Sequence, residues 1–374
     1  MAGEKRPSLL MTADTVGGVW TYAVELAHAL TQRGLRVHLA TMGAPVREHQ
    51  RAQLAAVPGV TLHESEYKLE WMPDAWNDVD RAGAWLLSLE RTLRPDLVHL
   101  NQFAFGALPF RAPKLVVAHS CVLSWWRAVH AESAPSSWDR YRDVVRDGLN
   151  GADLVAAPTH AMLQTLGPNY GFGQAGSVLP NARDARRFAP GDKQPYVFAA
   201  GRFWDEAKNL AALEAVAPQL RWPVRVAGSC ARPDGRIVQP AHVQFVGELA
   251  QDKVARQLAA ASIYALPARY EPFGLSVLEA ALAGCALVLG DIPSLREVWG
   301  SAALYVRPDD TIALGNTLRH LMGDEEERLH LGAAARARAA HFSPARMADA
   351  YLQAYGAIQP LFQPQREEDA QCVS

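Results

Sequence analysis

An excess of either charge is missing from this 374-residue chain: 37 Lys and Arg stand against 39 Asp and Glu, a formal net charge of −2. Such a surface has no general attraction for nucleic acid, and none is expected as a partner. Cysteine is scarce. Cys121, Cys230, Cys285 and Cys372 lie far apart without CxxC spacing, which argues against a disulfide framework or a structural zinc site and predicts reduced, mostly buried thiols. No apolar run approaches the roughly 18 residues of a membrane span. The opening MAGEKRPSLLMTAD holds only Leu9, Leu10 and Met11 between polar residues, too few for the apolar core of a secretory leader. A cytoplasmic protein is therefore expected, with peripheral contact to the inner face of a membrane left open. A dinucleotide fingerprint is lacking too. DTVGGVW has no G-x-G-x-x-G spacing, and no acidic residue closes the apolar stretch Val37 to Thr41, so a nicotinamide dehydrogenase is disfavoured.

What is present is length enough for two cores and a repeated plan. Ser8 to Thr12 reads as a strand, Gly17 and Gly18 as a turn, Trp20 to Arg33 as a helix and Val37 to Thr41 as the next strand. The second half repeats this with a strand at Tyr196 to Ala200, a loop at Gly201 to Asn209, a helix at Leu210 to Leu220 and a strand at Val224 to Ala227. Strand and helix alternate throughout, which favours parallel sheets covered by helices on both faces. The expected fold class is α/β, with two Rossmann-like, doubly wound domains facing a central cleft, spanning 1–183 and 184–342. Gly167 to Gly176 and Arg183 to Pro195, rich in Gly, Pro and charge, are expected to carry the hinge. Ser343 and Pro344 have the residue types of an N-cap and first helical position. They open a helix to about Ile358 within a tying segment 343–362, and the polar tail 363–374 is expected to lack order.

The most informative stretch is Ala268 to Val306. Glu271 precedes Pro272, Phe273, Gly274 and Leu275, and the run Ser276 to Ala283 favours a helix that Gly284 closes. First-turn N–H groups lack helical partners and carry the positive end of the dipole, a receptor for phosphate. Gly274 allows a ligand close approach. Glu279 is the polar interruption of an otherwise apolar helix, a costly position unless something pairs with it; its two oxygens suit the vicinal hydroxyls of a ribose.

Other candidates cluster at strand ends. Arg202 and Lys208 follow a strand in GRFWDEAKN and are placed to neutralise a diphosphate leaving group without a metal; pairing of Arg202 with Asp205 or Glu206 is the plainer alternative. Gly17 and Gly18 suit N–H donation to a phosphate, or simply a tight turn. His119, after the expected strand Leu115 to Ala118, is placed to bond a sugar hydroxyl or shuttle a proton. Asp78 and Asp80 read as first-turn acids of an amphipathic helix rather than metal ligands. Trp71, Trp76, Trp125 and Trp126 are core residues by default, with an acceptor groove near His119 as the other option.

EPFGLSVLEAALAG, GGVWTYAVELAHALTQRGLRVHLAT and GRFWDEAKNL together resemble glycosyltransferase family 4, retaining nucleotide-sugar transferases of the two-domain GT-B fold, over about Leu9 to Tyr355. The resemblance implies contact of Glu271 with donor-sugar hydroxyls and of Glu279 with the ribose. It further implies that Arg202 and Lys208 hold the diphosphate, that Phe273, Gly274, Leu275 and Ser276 supply backbone N–H groups, and that His119 sits beside the donor sugar. Ser294 and Glu297 have capping-box spacing. One departure is Asn181-Ala182, where the family has Asn-Gly. The expectation is a metal-independent hexosyltransferase with no cofactor, a nucleoside diphosphate sugar as co-substrate and front-face substitution with retention. UDP-glucose is the first donor considered and GDP-mannose the second. The acceptor is a hydroxyl of a glycan, lipid or small molecule, as in glycan or glycolipid synthesis. An epimerase or phosphorylase on the same fold, and a non-catalytic sugar-nucleotide sensor, are the alternatives.

Overall fold

A computed structural model describes residues 6–231, 237 and 240–363. Residues 364–374 of the tail expected to lack order, with Cys372, lie outside these. The first sheet consists of β1 (Ser8–Asp14), β2 (Arg36–Met42), β3 (Val60–Glu64), β4 (Leu97–Leu100), β5 (Lys114–Val117), β6 (Leu154–Ala157) and β7 (Ser177–Val178). Its order is β3-β2-β1-β4-β5-β6-β7. The second contains β8 (Gln194–Ala200), β9 (Val224–Ala227), β10 (Gln244–Gly247), β11 (Ala261–Leu266), β12 (Ala286–Gly290) and β13 (Leu304–Val306), in the order β10-β9-β8-β11-β12-β13. The strand pairings are parallel, as β1 with β2 and β8 with β11 illustrate.

Parallel sheets need cover on both faces, and the residues divide accordingly. Along β1, Leu9, Met11 and Ala13 enter one core cluster and Leu10 the opposite one. Along β11, Tyr264 and Leu266 face one side and Ile263 and Ala265 the other, the period-two alternation of a strand.

Several boundaries shift for local reasons. The helix expected from Trp20 runs Gly18–Thr31, with Gly17 as its extended N-cap, so only one of the two glycines belongs to the turn. The helix expected to reach Leu220 ends at Val216 and tightens into a 3₁₀ turn over Ala217–Gln219, where Pro218 lacks a donor for the α ladder. β5 stops at Val117, so His119 stands two residues beyond the strand.

The helix Pro344–Ile358 begins as the sequence suggests, with the Ser343 hydroxyl accepting the Arg346 N–H. It returns to the first domain, where Met347, Ala348, Tyr351 and Tyr355 join the core cluster of the helix Gly18–Thr31. Among the described residues no helix is long and apolar enough to cross a membrane.

Candidate active site

In each sheet the strand order reverses beside the first strand of the unit, between β1 and β4 and between β8 and β11. Ligands of open parallel sheets bind at such switch points, beyond the carboxyl ends of the strands. β1 delivers Asp14 there, and its Oδ1 accepts the N–H groups of Val16 (3.0 Å) and Gly17 (2.8 Å), which curls the loop back on itself. Burial pushes the Asp14 carboxyl above its usual pKa, while these two bonds and the nearby Arg202 charge pull the other way. A Cβ on Gly17 would lie 3.0 Å from Arg202 Nη1, and one on Gly18 would lie 3.5 Å from Leu275 Cδ1. The glycine loop of the first domain therefore abuts both the cation and the helix mouth of the second.

Arg202 follows β8 and its guanidinium lies over the Trp204 ring, 5.4 Å from the centroid. Asp205, one partner the sequence offers to Arg202, instead accepts the Trp125 indole N–H across the cleft and the Ala207 N–H. Lys208 Nζ is 2.5 Å from Glu271 Oε2. The other oxygen of Glu271 accepts the Gly274 N–H at 3.0 Å, and the Glu271 carbonyl accepts the Ser294 hydroxyl at 2.6 Å. Glu271 is thus held at the start of the helix Leu275–Leu282. Gly274 has φ +88, a conformation that side chains disfavour. Phe273 turns its ring into the core against Phe342, so its backbone alone is left for a ligand. Leu275 and Ser276 have no preceding helical carbonyl for their N–H groups. The Ser276 hydroxyl accepts a hydrogen bond from Tyr264.

Glu279 is not an unmatched charge. Arg183 Nε lies 2.8 Å from its Oε1, and Arg183 Nη1 donates to Glu25 Oε2 at 2.8 Å. Burial raises the Glu279 pKa and Arg183 opposes that rise. Arg183, assigned by composition to a bending connection, is buried between helices of the two domains, because two carboxylates there require a cation. Its partner sites are far away in sequence, so composition could not find them.

His119 lines the cleft with part of its ring exposed. Its Nε2 is 2.8 Å from Asn101 Oδ1, and the ring meets Tyr22 edge-on at 4.4 Å. Because Asn101 Nδ2 donates to the Thr12 carbonyl, its Oδ1 is the atom left to accept from both His119 and His99. Burial pushes the His119 pKa down to about 3, with His99 adding to it, which leaves a neutral imidazole. His99 Nδ1 in turn meets the Tyr355 hydroxyl at 2.6 Å, which ties His119 through Asn101 to the C-terminal helix.

A cavity of about 300 Å³ opens between the domains, bounded by Asp14, Gly17, His119 and Arg202 on one side. Trp71, Trp125, Trp138 and Trp204 wall its remainder, together with Glu70 and Gln102. Trp76 and Trp126 do not line it. Sequence reasoning missed Asp14, Glu70, Asn101 and Gln102, although Asp14 ends the apolar strand β1 and the Asn101-Gln102 pair directly follows β4, the same signal that singled out His119. Asp78 starts the helix Trp76–Leu93, paired with Arg81 and bonded by the Lys68 N–H, and Asp80 is exposed. The described residues that approach one another as metal ligands could, His320, Asp324 and Glu327, do not line the cavity.

Several bonds span the domains. Thr159 donates to the Pro272 carbonyl and the Cys121 N–H to the Tyr270 hydroxyl. Ser294 and Glu297 do not form the capping box their spacing suggests. Their helix, Pro293–Trp299, has Ile292 at its N-cap position and no side-chain cap bond, while Glu297 accepts the N–H groups of His160 (2.7 Å) and Ala161 (2.8 Å) at the start of a first-domain helix. The carboxylate caps a helix across the cleft, where orphan donors await it.

Two doubly wound domains face each other with their switch points beside a shared cavity, and comparison with known proteins gives the family. The family model for Glycosyltransferase Family 4 matches residues 16–187, and that for Glycosyl transferases group 1 matches residues 194–324. The chain is a glycosyltransferase of the family 4 type, with the GT-B fold. It is 25% identical to D-inositol 3-phosphate glycosyltransferase of Nocardia farcinica over 91% of this chain and 85% of that protein. Among solved structures it is similar to sucrose-phosphate synthase of Thermosynechococcus elongatus (TM-score 0.77, 19% identity, 94% of this chain and 100% of the other). It is also similar to Anabaena HepE in complex with UDP and glucose (TM-score 0.72, 16% identity, 94% and 100%).

Proposed function

We propose that this enzyme moves a hexose from a nucleoside diphosphate sugar to an acceptor hydroxyl with retention at the anomeric carbon and without a metal ion. The observation that carries this reading is that the glycine loop of the first domain abuts Arg202 at Gly17 and the helix mouth at Gly18, against Leu275, while Lys208 pairs with Glu271 at the start of that same helix. Arg202, Lys208 and the N–H groups at the mouth of the helix Leu275–Leu282 neutralise the diphosphate. Glu271, fixed by Lys208 and Gly274, accepts donor-sugar hydroxyls, and Glu279 accepts from the ribose through Oε2, the oxygen that does not face Arg183. His119, neutral, bonds a sugar hydroxyl. As the bond from the anomeric carbon to phosphate oxygen breaks, the acceptor oxygen bonds to the same face of that carbon. Its proton passes to the departing phosphate, whose charge the two cations stabilise.

UDP-glucose is the donor we favour and GDP-mannose the second. The complex of HepE with UDP-glucose supports the first only as a precedent on this fold. The names of relatives range from D-inositol 3-phosphate glycosyltransferase to glycogen synthase, so the acceptor does not carry over from them. Turnover measured by nucleotide release, with excess EDTA, tests the reading. Transfer that persists under chelation, with the α-anomer formed from an α-linked donor, is expected. Loss of activity restored by magnesium or manganese overturns the metal-free mechanism.

A further inference from the structure

The charges around the interdomain cavity are lopsided in a way that bears on the acceptor. Asp14, Glu70 and Asp205 are its acids, and with His119 neutral Arg202 is the one cation among the described residues lining it. Arg202 sits against Gly17, where the donor diphosphate belongs in the reading above. No second cation is left for an anionic acceptor. A phosphate monoester, at about −1.5 to −2 near neutral pH, would meet carboxylates and apolar walls.

Two further features point to a ligand rather than to packing. Gln102 is 5% exposed, lines the cavity, and its Oε1 has no hydrogen-bond partner in the protein. Buried polar atoms are almost always paired, so an orphan on a residue that lines a cavity marks a place where a donor group is missing. Glu70, 6% exposed, is fixed by the N–H groups of Phe103 (3.1 Å) and Ala104 (2.7 Å) and keeps further lone pairs. The four indoles are each partly open to the cavity, and three are held in place. Trp125 is fixed by its bond to Asp205, Trp138 stands edge-on to Tyr141 at 5.6 Å, and Trp204 lies beneath Arg202. A tryptophan that served the core alone would have no face left over.

We propose, resting on the transferase reading, that this cavity is the acceptor subsite for an uncharged sugar unit, stacked on Trp125 and Trp138 and hydrogen-bonded by Gln102 and Glu70, and that it rejects phosphorylated acceptors. Alternating apolar C–H faces and hydroxyls of a sugar match flat indoles interleaved with acceptor oxygens. A donor hydroxyl on Gln102 Oε1 satisfies the orphan atom, and the absent cation gives discrimination by leaving a phosphate unpaired.

The experiment uses the full chain and two kinds of readout. Maltose and methyl glucoside are expected to perturb the intrinsic tryptophan fluorescence without donor and to accelerate nucleotide release from whichever of UDP-glucose and GDP-mannose raises the Tm. Glucose 6-phosphate and maltose 1-phosphate are expected to do neither. Gln102→Ala and Trp125→Phe, compared at equal Tm shift with donor, should raise KM for the neutral acceptor about tenfold, the scale of one lost hydrogen bond or stacking contact. Use of the phosphorylated probes at rates equal to the neutral ones overturns the proposal, as does silence of every neutral sugar towards the fluorescence. A response to the alkyl chain of an alkyl glucoside but not to free sugar overturns it as well. Failure of both nucleotide sugars to shift the Tm sinks the donor assignment instead, since sugar binding to the indoles is read without donor.

Discussion

Trp125 of the first domain donates its indole N–H to Asp205 Oδ1 of the second at 2.8 Å, a bond that joins the domains beside the cavity both residues line. The same loop of the second domain carries Arg202 and Lys208, so one segment serves both as a latch and as the proposed diphosphate cradle. Sugar transfer gains from such an arrangement, because water excluded from the cleft cannot hydrolyse the activated sugar.

Lys208 and Glu271 should act as a unit. Their side chains are 15% and 13% exposed and 2.5 Å apart, so removing either leaves the other partly buried without its partner. Glu271→Gln is expected to lower kcat about ten- to a hundredfold, corresponding to about 1.5–3 kcal/mol for a charged hydrogen bond. Lys208→Ala should weaken nucleotide diphosphate binding far more than nucleoside binding. The double variant should lose much less than the product of the single losses. Strict multiplicativity would show that the pair does not work together.

Gly17 and Gly18 provide a sharper test of the abutting loops. Gly17 has an extended backbone that alanine adopts readily, yet its new methyl would press on the Arg202 guanidinium at 3.0 Å, whereas on Gly18 it would make an ordinary contact with Leu275. Gly17→Ala is expected to fold with an unchanged Tm and to raise the donor Kd several-fold. Gly18→Ala should affect the Kd less. Calorimetric titration with the nucleoside diphosphate checks this, and equal effects at the two positions would argue that Arg202 does not contact the donor.

The buried His99 predicts how stability responds to acid. Burial lowers its pKa from 6.5 to about 3, so between these values the unfolded chain binds a proton that the native state refuses. Stability from this group is complete above pH 6.5 and is lost as pH falls, by about 1.4 kcal/mol per unit. Glu70 works in the opposite sense, since burial raises its pKa to about 7 and its ionisation weakens the fold as pH rises from its usual value. Comparison with His99→Gln isolates the histidine. The variant should be less stable at pH 7, and its stability should fall less steeply by one proton between pH 6 and 4 in denaturant titrations.

The fold was legible because parallel sheets write themselves as apolar strands alternating with amphipathic helices, and β9 over Val224–Ala227 coincides with its sequence reading. The candidate site was legible wherever one short segment holds its own contacts. Glu271, Gly274 and the helix after them are contiguous. What stayed hidden depends on partners distant in the chain. Arg183 looked like part of a charged linker until Glu25 and Glu279 surrounded it. Glu297 matched a local capping pattern, but the donors that needed it belonged to residues 160 and 161. Gln102 had no local signature, because what marks it is an unpaired buried atom on a residue that lines a cavity formed by both domains.

Glu297 also offers the means to test closure. Opening the cleft would expose the two N–H groups it caps, together with Trp125 Nε1 and the Thr159 hydroxyl, to water; closure is favoured only by the net gain of each such bond, on the order of 1 kcal/mol. Donor that bridges Gly17 on one domain and Arg202 on the other binds the closed form alone and shifts the population towards it. Glu297→Ala removes two of the closing bonds without touching the cavity, so the free variant should be more open and should need more donor to close. Small-angle scattering is expected to give a larger radius of gyration for the free variant than for the parent, and the same radius for both at saturating donor. The donor Kd should rise by about the five- to thirtyfold that 1–2 kcal/mol represents. If the radius of both proteins is the same with and without donor, the domains form one rigid body, and water must be excluded by the acceptor itself.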